Sequence, residues 1–179
     1  MEESGVCENL LDQRFDQPAP NMVWVGDFTY IRVADRFYYI CAIIDLFSRK
    51  VIAYKVSPKI DRFLAIETLN AAIVGRGNPS GVMFHSDQGS QFTSADFRKE
   101  IDKYNMVQSF SKKGHPYDNA VMECFFKYLK KEETNRRHYS SLEELKISLF
   151  KYINGFYNSI RPHSHNSGLS PNHKELSFL

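Results

Sequence analysis

Apolar and polar positions alternate through MVWVGDFTYIRV (residues 22–33). Trp24, Phe28 and Tyr30 fall on one side, and Val25, Asp27, Thr29 and Ile31 on the other. That is the period of a half-buried strand. RFYYICAIID (36–45) is continuously apolar, as expected of a strand covered on both faces. KVIAYKV (50–56) follows after the short connection LFSR, so close spacing predicts an antiparallel meander of three strands. Then the period lengthens. DRFLAIETLNAAIVG (61–75) has a capping acid at Asp61, apolar positions at helical spacing and Gly75 as a stop. GVMFHS and MVQSF read as short strands on either side of a helix, SADFRKEIDKY, capped by Ser94. DNAVMECFFKYLKKEE and SLEELKISLFKYINGFYN close the pattern as two helices, with Ser141 and Glu144 predicting a capping box for the second. The succession predicts an α/β fold: a mixed five-stranded sheet, an antiparallel meander plus parallel strands, with helices on both faces.

At 179 residues, 42% of them hydrophobic and 25% charged, the composition suits one globular domain with extensions. Residues 1–21, ending DQPAPN, read as an arm, residues 22–165 as the core and 166–179 as a tail. A formal net charge of +2 selects no partner by itself. The longest apolar run, FYYICAII, is eight residues, far short of a membrane span, and the opening has no apolar signal segment. Three scattered cysteines without a CxxC pair predict a reducing, cytoplasmic setting and neither a disulfide framework nor a cysteine zinc site.

Candidate chemistry lies in three acids. Asp27 interrupts an apolar strand, Asp87 ends another in VMFHSDQGSQF, and Glu123 stands in the first turns of a helix. An acid within an apolar strand is disfavoured unless it is paired or binds a cation. Carboxylates brought to about 4 Å repel by about 4 kcal/mol at an effective dielectric of 20. Divalent cations remove that penalty, and all-oxygen ligands suit Mg²⁺ or Mn²⁺. Two such ions about 3.5–4 Å apart are an established arrangement for in-line attack on a phosphodiester. Gly89 is expected to let the chain turn away after Asp87, and Phe92 to anchor it again in the core.

WVGDFTYI, HSDQGSQF, SKKGHPYDNAVMECFFKYLKKE and YNSIRPHS together resemble the catalytic core of OrfB-type bacterial insertion-sequence transposases, in the retroviral-integrase-like DDE superfamily. The resemblance runs from about residue 9 to the C-terminus. It implies a ribonuclease H-like fold for the core and makes Asp27, Asp87 and Glu123 the catalytic triad and the ligands of two Mg²⁺ or Mn²⁺ ions, with Asp27 bridging both. It implies a polynucleotidyl transferase that cuts and joins DNA at an element's terminal inverted repeats and at a target, acting as a homo-oligomer on DNA. The chain departs from the usual pattern at Phe110, His115 and Cys124, none of them a proposed ligand. The alternative is a catalytically idle truncated transposase acting as an assembly or inhibitory module, because the chain starts close to the core without a helix-turn-helix signal.

Around Glu123, a helix of 100° per residue puts Lys127, Lys130 and Lys131 on the acid's face and Met122, Phe125, Phe126 and Leu129 on the other. Those lysines are candidate phosphate contacts, Lys130 also by resemblance. Lys112 and Lys113 lie in SFSKKGHPYD, which reads as an active-site loop, and Asn119 shares the face of Glu123 one turn earlier. Arg161 matches an arginine of the resembled family and is a further candidate DNA contact. Asp118 reads first as a helix cap and His85 as a hydrogen-bonded strand residue. Asp45 reads as a structural turn residue, and His163, His165 and His173 as surface histidines, not a zinc site.

Overall fold

β1 (Val23–Val33), β2 (Arg36–Asp45), β3 (Lys50–Ser57), β4 (Met83–Ser86) and β5 (Val107–Phe110) form one sheet in the order β3-β2-β1-β4-β5. β1, β2 and β3 pair antiparallel, and β4 and β5 add in parallel, giving the expected mixed topology. The structure is a computed structural model that describes residues 7–179, so the first six residues of the expected arm lie outside the described residues.

The alternation along β1 sorts its side chains onto two cores. Val23, Val25, Ile31 and Val33 join one cluster with Met122, Phe125, Phe126 and Leu129 of α4 (Ala120–Glu132) and Leu145 and Leu149 of α5 (Leu142–Phe150). Trp24 joins the other, with Leu64, Leu69 and Ile73 of α1 (Arg62–Gly75) and Phe97 and Ile101 of α3 (Ala95–Lys103). Helices therefore cover both faces. β2 is buried from Ile40 onward, while its first residues project beyond the core. Gly26 is required by close approach: a Cβ there would stand 2.5 Å from Cζ of Phe84.

The helix starts obey the expected chemistry. Asp61 Oδ1 accepts from Leu64 N at 2.9 Å, and Ser94 Oγ accepts from Phe97 N at 3.2 Å. Ser141 Oγ accepts from Glu144 N at 3.2 Å, but the returning Glu144 carboxylate takes the N–H of Ser140 at 2.8 Å, one residue before a standard capping box. Several elements were not foreseen. A four-residue helix, α2 (Ser90–Thr93), follows Gly89, and the last long helix changes from α5 into a π-helix over Lys151–Tyr157. The tail contains α6 (Pro171–Leu176), whose Glu175 carboxylate meets Arg76 at 2.7 Å. Arg76 also meets the fully buried Asp45 at 3.1 Å, so Asp45 is a structural ion-pair partner. Leu11, from the expected arm, is buried in the cluster with α4. No helix among the described residues is long and apolar enough to cross a membrane.

Candidate active site

Strand register brings the first two acids together. β1 and β4 run parallel with Val25 opposite His85 as their last pair, and Asp27 and Asp87 each follow two residues on. Neighbouring strands lie about 4.8 Å apart. α4 covers the face on which Asp27 projects, and Glu123, one residue past the buried Met122, stands in its first turn. Asp27, Asp87 and Glu123 accordingly line one open cavity of about 470 Å³, together with Lys112, Lys113 and Asn119. Three positions remote in the chain thus share one cavity.

The electrostatics follow from that placement. Asp27 is half-buried, while Asp87 and Glu123 are exposed. Burial pushes the Asp27 carboxyl up to about 7, against the hydrogen bond it accepts from Phe28 N, and the charges of Asp87 and Glu123 push it further. Asn119 Nδ2 donates to the other Asp27 oxygen at 3.2 Å, while Asn119 Oδ1 is buried without a partner. Among the described residues none of the three acids has a cationic side chain in an ion pair. Three carboxylates facing one cavity with no cationic partner form a hard-oxygen donor set that fits a divalent cation. They are not closed around a point: among the described residues no group of three or more His, Cys, Asp or Glu side chains is arranged to hold a metal ion. Mg²⁺ commonly takes only one or two carboxylates and completes its shell with water and substrate phosphate oxygens, which suits an open set.

Gly89 serves Asp87 differently from the expectation. Its backbone, φ −60° and ψ 148°, is open to any residue, so it is not there to make a glycine-only turn. Asp87 Oδ1 folds back to accept from Gly89 N at 2.9 Å, and a Cβ on residue 89 would stand 2.9 Å from that oxygen. Gly89→Ala is therefore expected to displace the Asp87 carboxylate and leave the core alone. Thermal melts should shift by only a few degrees while divalent-ion affinity falls about tenfold or more; an unchanged affinity, read by calorimetry with Mn²⁺, would refute this role. Phe92 does anchor the chain beyond, fully buried with ring centroids 5.0 Å from Phe28 and 5.4 Å from Phe97.

Behind the cavity runs a buried polar chain. Ser109 Oγ accepts from the N–H groups of Leu10 and Leu11, both at 3.0 Å, which leaves its proton for His85 Nδ1 at 2.8 Å. His85 Nε2 then carries the ring proton and donates to the Asp118 carbonyl at 2.9 Å. Burial lowers the pKa of His85, consistent with the neutral ring this pattern requires. His85 is thus the expected hydrogen-bonded strand residue, and it fastens β4 to the turn that leads into α4. Asp118 corrects the sequence reading. Its carboxylate accepts from Lys112 N, Asn9 Nδ2 and Gln13 Nε2 at 2.9–3.0 Å, so it ties the loop and the arm instead of capping α4. The 3-10 turn Pro116–Asn119 occupies the place where a cap was expected.

Not every candidate joins the acids. Lys127 and Lys131 are exposed on the Glu123 side of α4, outside the cavity, and Lys130 Nζ sits 4.9 Å over the Tyr30 ring. Arg161 lies elsewhere, gripping the Glu132 carboxylate at 2.8–3.1 Å and stacking 4.2 Å from the Tyr128 ring. His163 is buried, edge-on to Tyr157 at 4.6 Å, which corrects its placement on the surface; His165 is half-buried, and His173 is exposed as expected. Ser111 and Gln88 line the cavity and were missed, although carrying the β4–β5 register one residue beyond Phe110 puts Ser111 next to Asp87.

Comparison with known proteins decides the family. The model of the Integrase core domain matches residues 17–116, and a second one of the same description matches 123–176. The chain belongs to the integrase core domain family. This integrase core is 41% identical over 174 residues to the transposase InsF for insertion sequence IS3A of Escherichia coli (strain K12), covering 97% of the chain and 60% of InsF. It therefore spans about 60% of the length of that relative. A simian T-cell lymphotropic virus intasome in complex with PP2A regulatory subunit B56 gamma superposes with TM-score 0.74 at 20% identity, over 89% of this chain and 56% of that one. The HTLV-2 integrase catalytic core domain in complex with magnesium superposes with TM-score 0.66 at 20% identity, over 88% and 98%. Those likenesses establish the fold, ribonuclease H-like, as the sequence resemblance implied. The integrase core is thus a transposase and integrase catalytic-domain fold with a cluster of acids at the end of its parallel strand pair.

Proposed function

We propose that this integrase core is the catalytic domain of an insertion-sequence transposase, with Asp27, Asp87 and Glu123 as catalytic residues and ligands of Mg²⁺ or Mn²⁺. The observation that supports it is the one cavity lined by all three acids, where the charges of Asp87 and Glu123 help to raise the Asp27 carboxyl. When bound, a pair of divalent ions supplies charge neutralisation and activation of the attacking oxygen in a phosphodiester exchange. The chain's own groups do the rest. The half-buried Asp27, set mid-strand and hydrogen-bonded by Asn119, would hold the ions together with Asp87 and Glu123. Lys112 and Lys113, exposed on the same cavity, and Lys127 and Lys131, exposed along α4, offer charge to the phosphate backbone. Asn119 keeps one amide oxygen free to accept when Asp27 carries a proton.

The substrates proposed are the element's terminal inverted repeats and a target strand, handled by a homo-oligomer on DNA in the bacterial cytoplasm. The magnesium complex of the HTLV-2 integrase catalytic core domain and the transposase name of InsF support the same chemistry. The test incubates the chain with a pre-cut element-end oligonucleotide and Mn²⁺, resolving products on a denaturing gel. Joined strands in Mn²⁺ and none in EDTA are expected. Joining that survives EDTA would end the metal assignment, and no joining under any divalent ion would end the catalytic one.

A further inference from the structure

β4 pairs with β1 only through Val25, although β1 continues to Val33. Beyond Asp27 the β1 edge is therefore open on the β4 side, and a groove of about 750 Å³ lies against it. The groove is walled by Tyr30 and Arg32 of β1, Phe37 of β2, Lys130 near the end of α4, and Thr134 and Arg137 of the segment after it. Its chemistry is unusual for a bare surface. Tyr30 and Phe37 are large aromatics left 56% and 52% exposed, meeting edge to face at 5.4 Å. Lys130 Nζ lies 4.9 Å over the Tyr30 ring, and Arg32 holds its Nε on the Ala34 carbonyl. No carboxylate lines the groove; Glu133, just outside, offsets part of the Arg137 charge through an ion pair.

We propose that this groove binds an unpaired DNA strand, one base stacking on the Tyr30–Phe37 pair and its phosphates meeting Arg32 and Lys130. Aromatic faces interleaved with cations are what a single strand requires, since every base offers a π-face and every link a phosphate. A rigid duplex cannot present a base to an edge-on aromatic pair without unstacking it. Position fits as well. Tyr30 is three residues along β1 from Asp27, about 10 Å at strand rise, or roughly three stacked nucleotides. A strand leaving the acids along the α4 lysines would arrive here. The assignment rests on the reading of the acids as a DNA-joining site and extends it to a segment that is not base-paired.

Fluorescence anisotropy with labelled (dT)₁₀, in EDTA so that no chemistry intervenes, tests the groove directly. Wild type is expected to bind, Tyr30→Ala and Phe37→Ala each to weaken binding about tenfold or more, and Phe63→Ala, an exposed aromatic on α1, to leave it unchanged. No binding by wild type, or equal binding by Tyr30→Ala and Phe37→Ala, overturns the assignment and leaves the open β1 edge for another partner. The Mn²⁺ joining assay separates the two proposals. Joining without (dT)₁₀ binding removes only the groove, whereas Tyr30-dependent binding without joining removes only the catalytic reading.

Discussion

Glu123→Gln is expected to abolish the proposed joining of a pre-cut element end, lowering the rate more than a hundredfold, while the fold survives. The exchange preserves the shape of the side chain and removes one charge. Replacing a group one step outside a metal's ligands costs about 10–100-fold, so removing a ligand charge should exceed that range. Stability moves little because two effects oppose. Glu123 stands in the first turn of α4, where an acid gains about 0.3–1 kcal/mol from the helix dipole. It also raises the cost of ionising Asp27, a repulsion that glutamine relieves. The side chain is exposed and makes no ion pair, so neither effect is amplified by burial. A melt in EDTA should therefore stay within about 3 °C of wild type, since 1 kcal/mol is about 2–4 °C at this size. A fall of 10 °C would mean that Glu123 holds the fold, and undiminished joining would remove it from the mechanism.

What the chain disclosed in advance, and what it hid, divides along range. The alternation of Trp24 and Val25 along β1 sorted two cores because strand period is local, and the apolar spacing of α4 separated Glu123 from Phe125 and Phe126 for the same reason. Asp27 was conspicuous as a charge in an apolar strand. Its partner Asp87 was legible only through context, since pairing of β1 with β4 is a long-range fact that no local pattern encodes. What the sequence left unread are contacts that a local pattern does not encode. Asp118 looked like a cap because capping is local, but its acceptors are filled by Asn9 and Gln13 more than 100 residues away. Arg161 looked available for DNA because nothing nearby opposes it, yet Glu132, 29 residues upstream, takes its guanidinium. His163 looked like tail surface until Tyr157 covered it. The π-helix over Lys151–Tyr157 had no local signature at all, since its residues fit an α-helix equally well.

Asp27→Asn is expected to stabilise the metal-free protein, and by an amount that depends on pH. In the unfolded chain the carboxyl titrates near 3.8; in the fold, burial first and the neighbouring acids after it raise the value to about 7. The folded state therefore holds a proton that the unfolded state has released, and wild-type stability falls as pH rises from about 4 to about 7, then levels. A shift of about three units corresponds to about 4 kcal/mol at most. Asparagine has no proton to lose, so the variant should match wild type near pH 4 and exceed it increasingly up to pH 7 and above. The new amide also finds a partner, because Asn119 can turn its orphan Oδ1 toward it. Divalent ions reverse the ranking. Mg²⁺ binds the ionised carboxylate, so at pH 8 it should raise the wild-type melting temperature and leave the variant nearly unmoved, with the response fading below pH 6. Denaturant titrations of both proteins across pH 4–8, with EDTA or Mg²⁺, measure every part of this. A stability difference independent of pH would mean that Asp27 is neither desolvated nor crowded by Asp87 and Glu123, and an equal Mg²⁺ response in both proteins would move the ion away from Asp27.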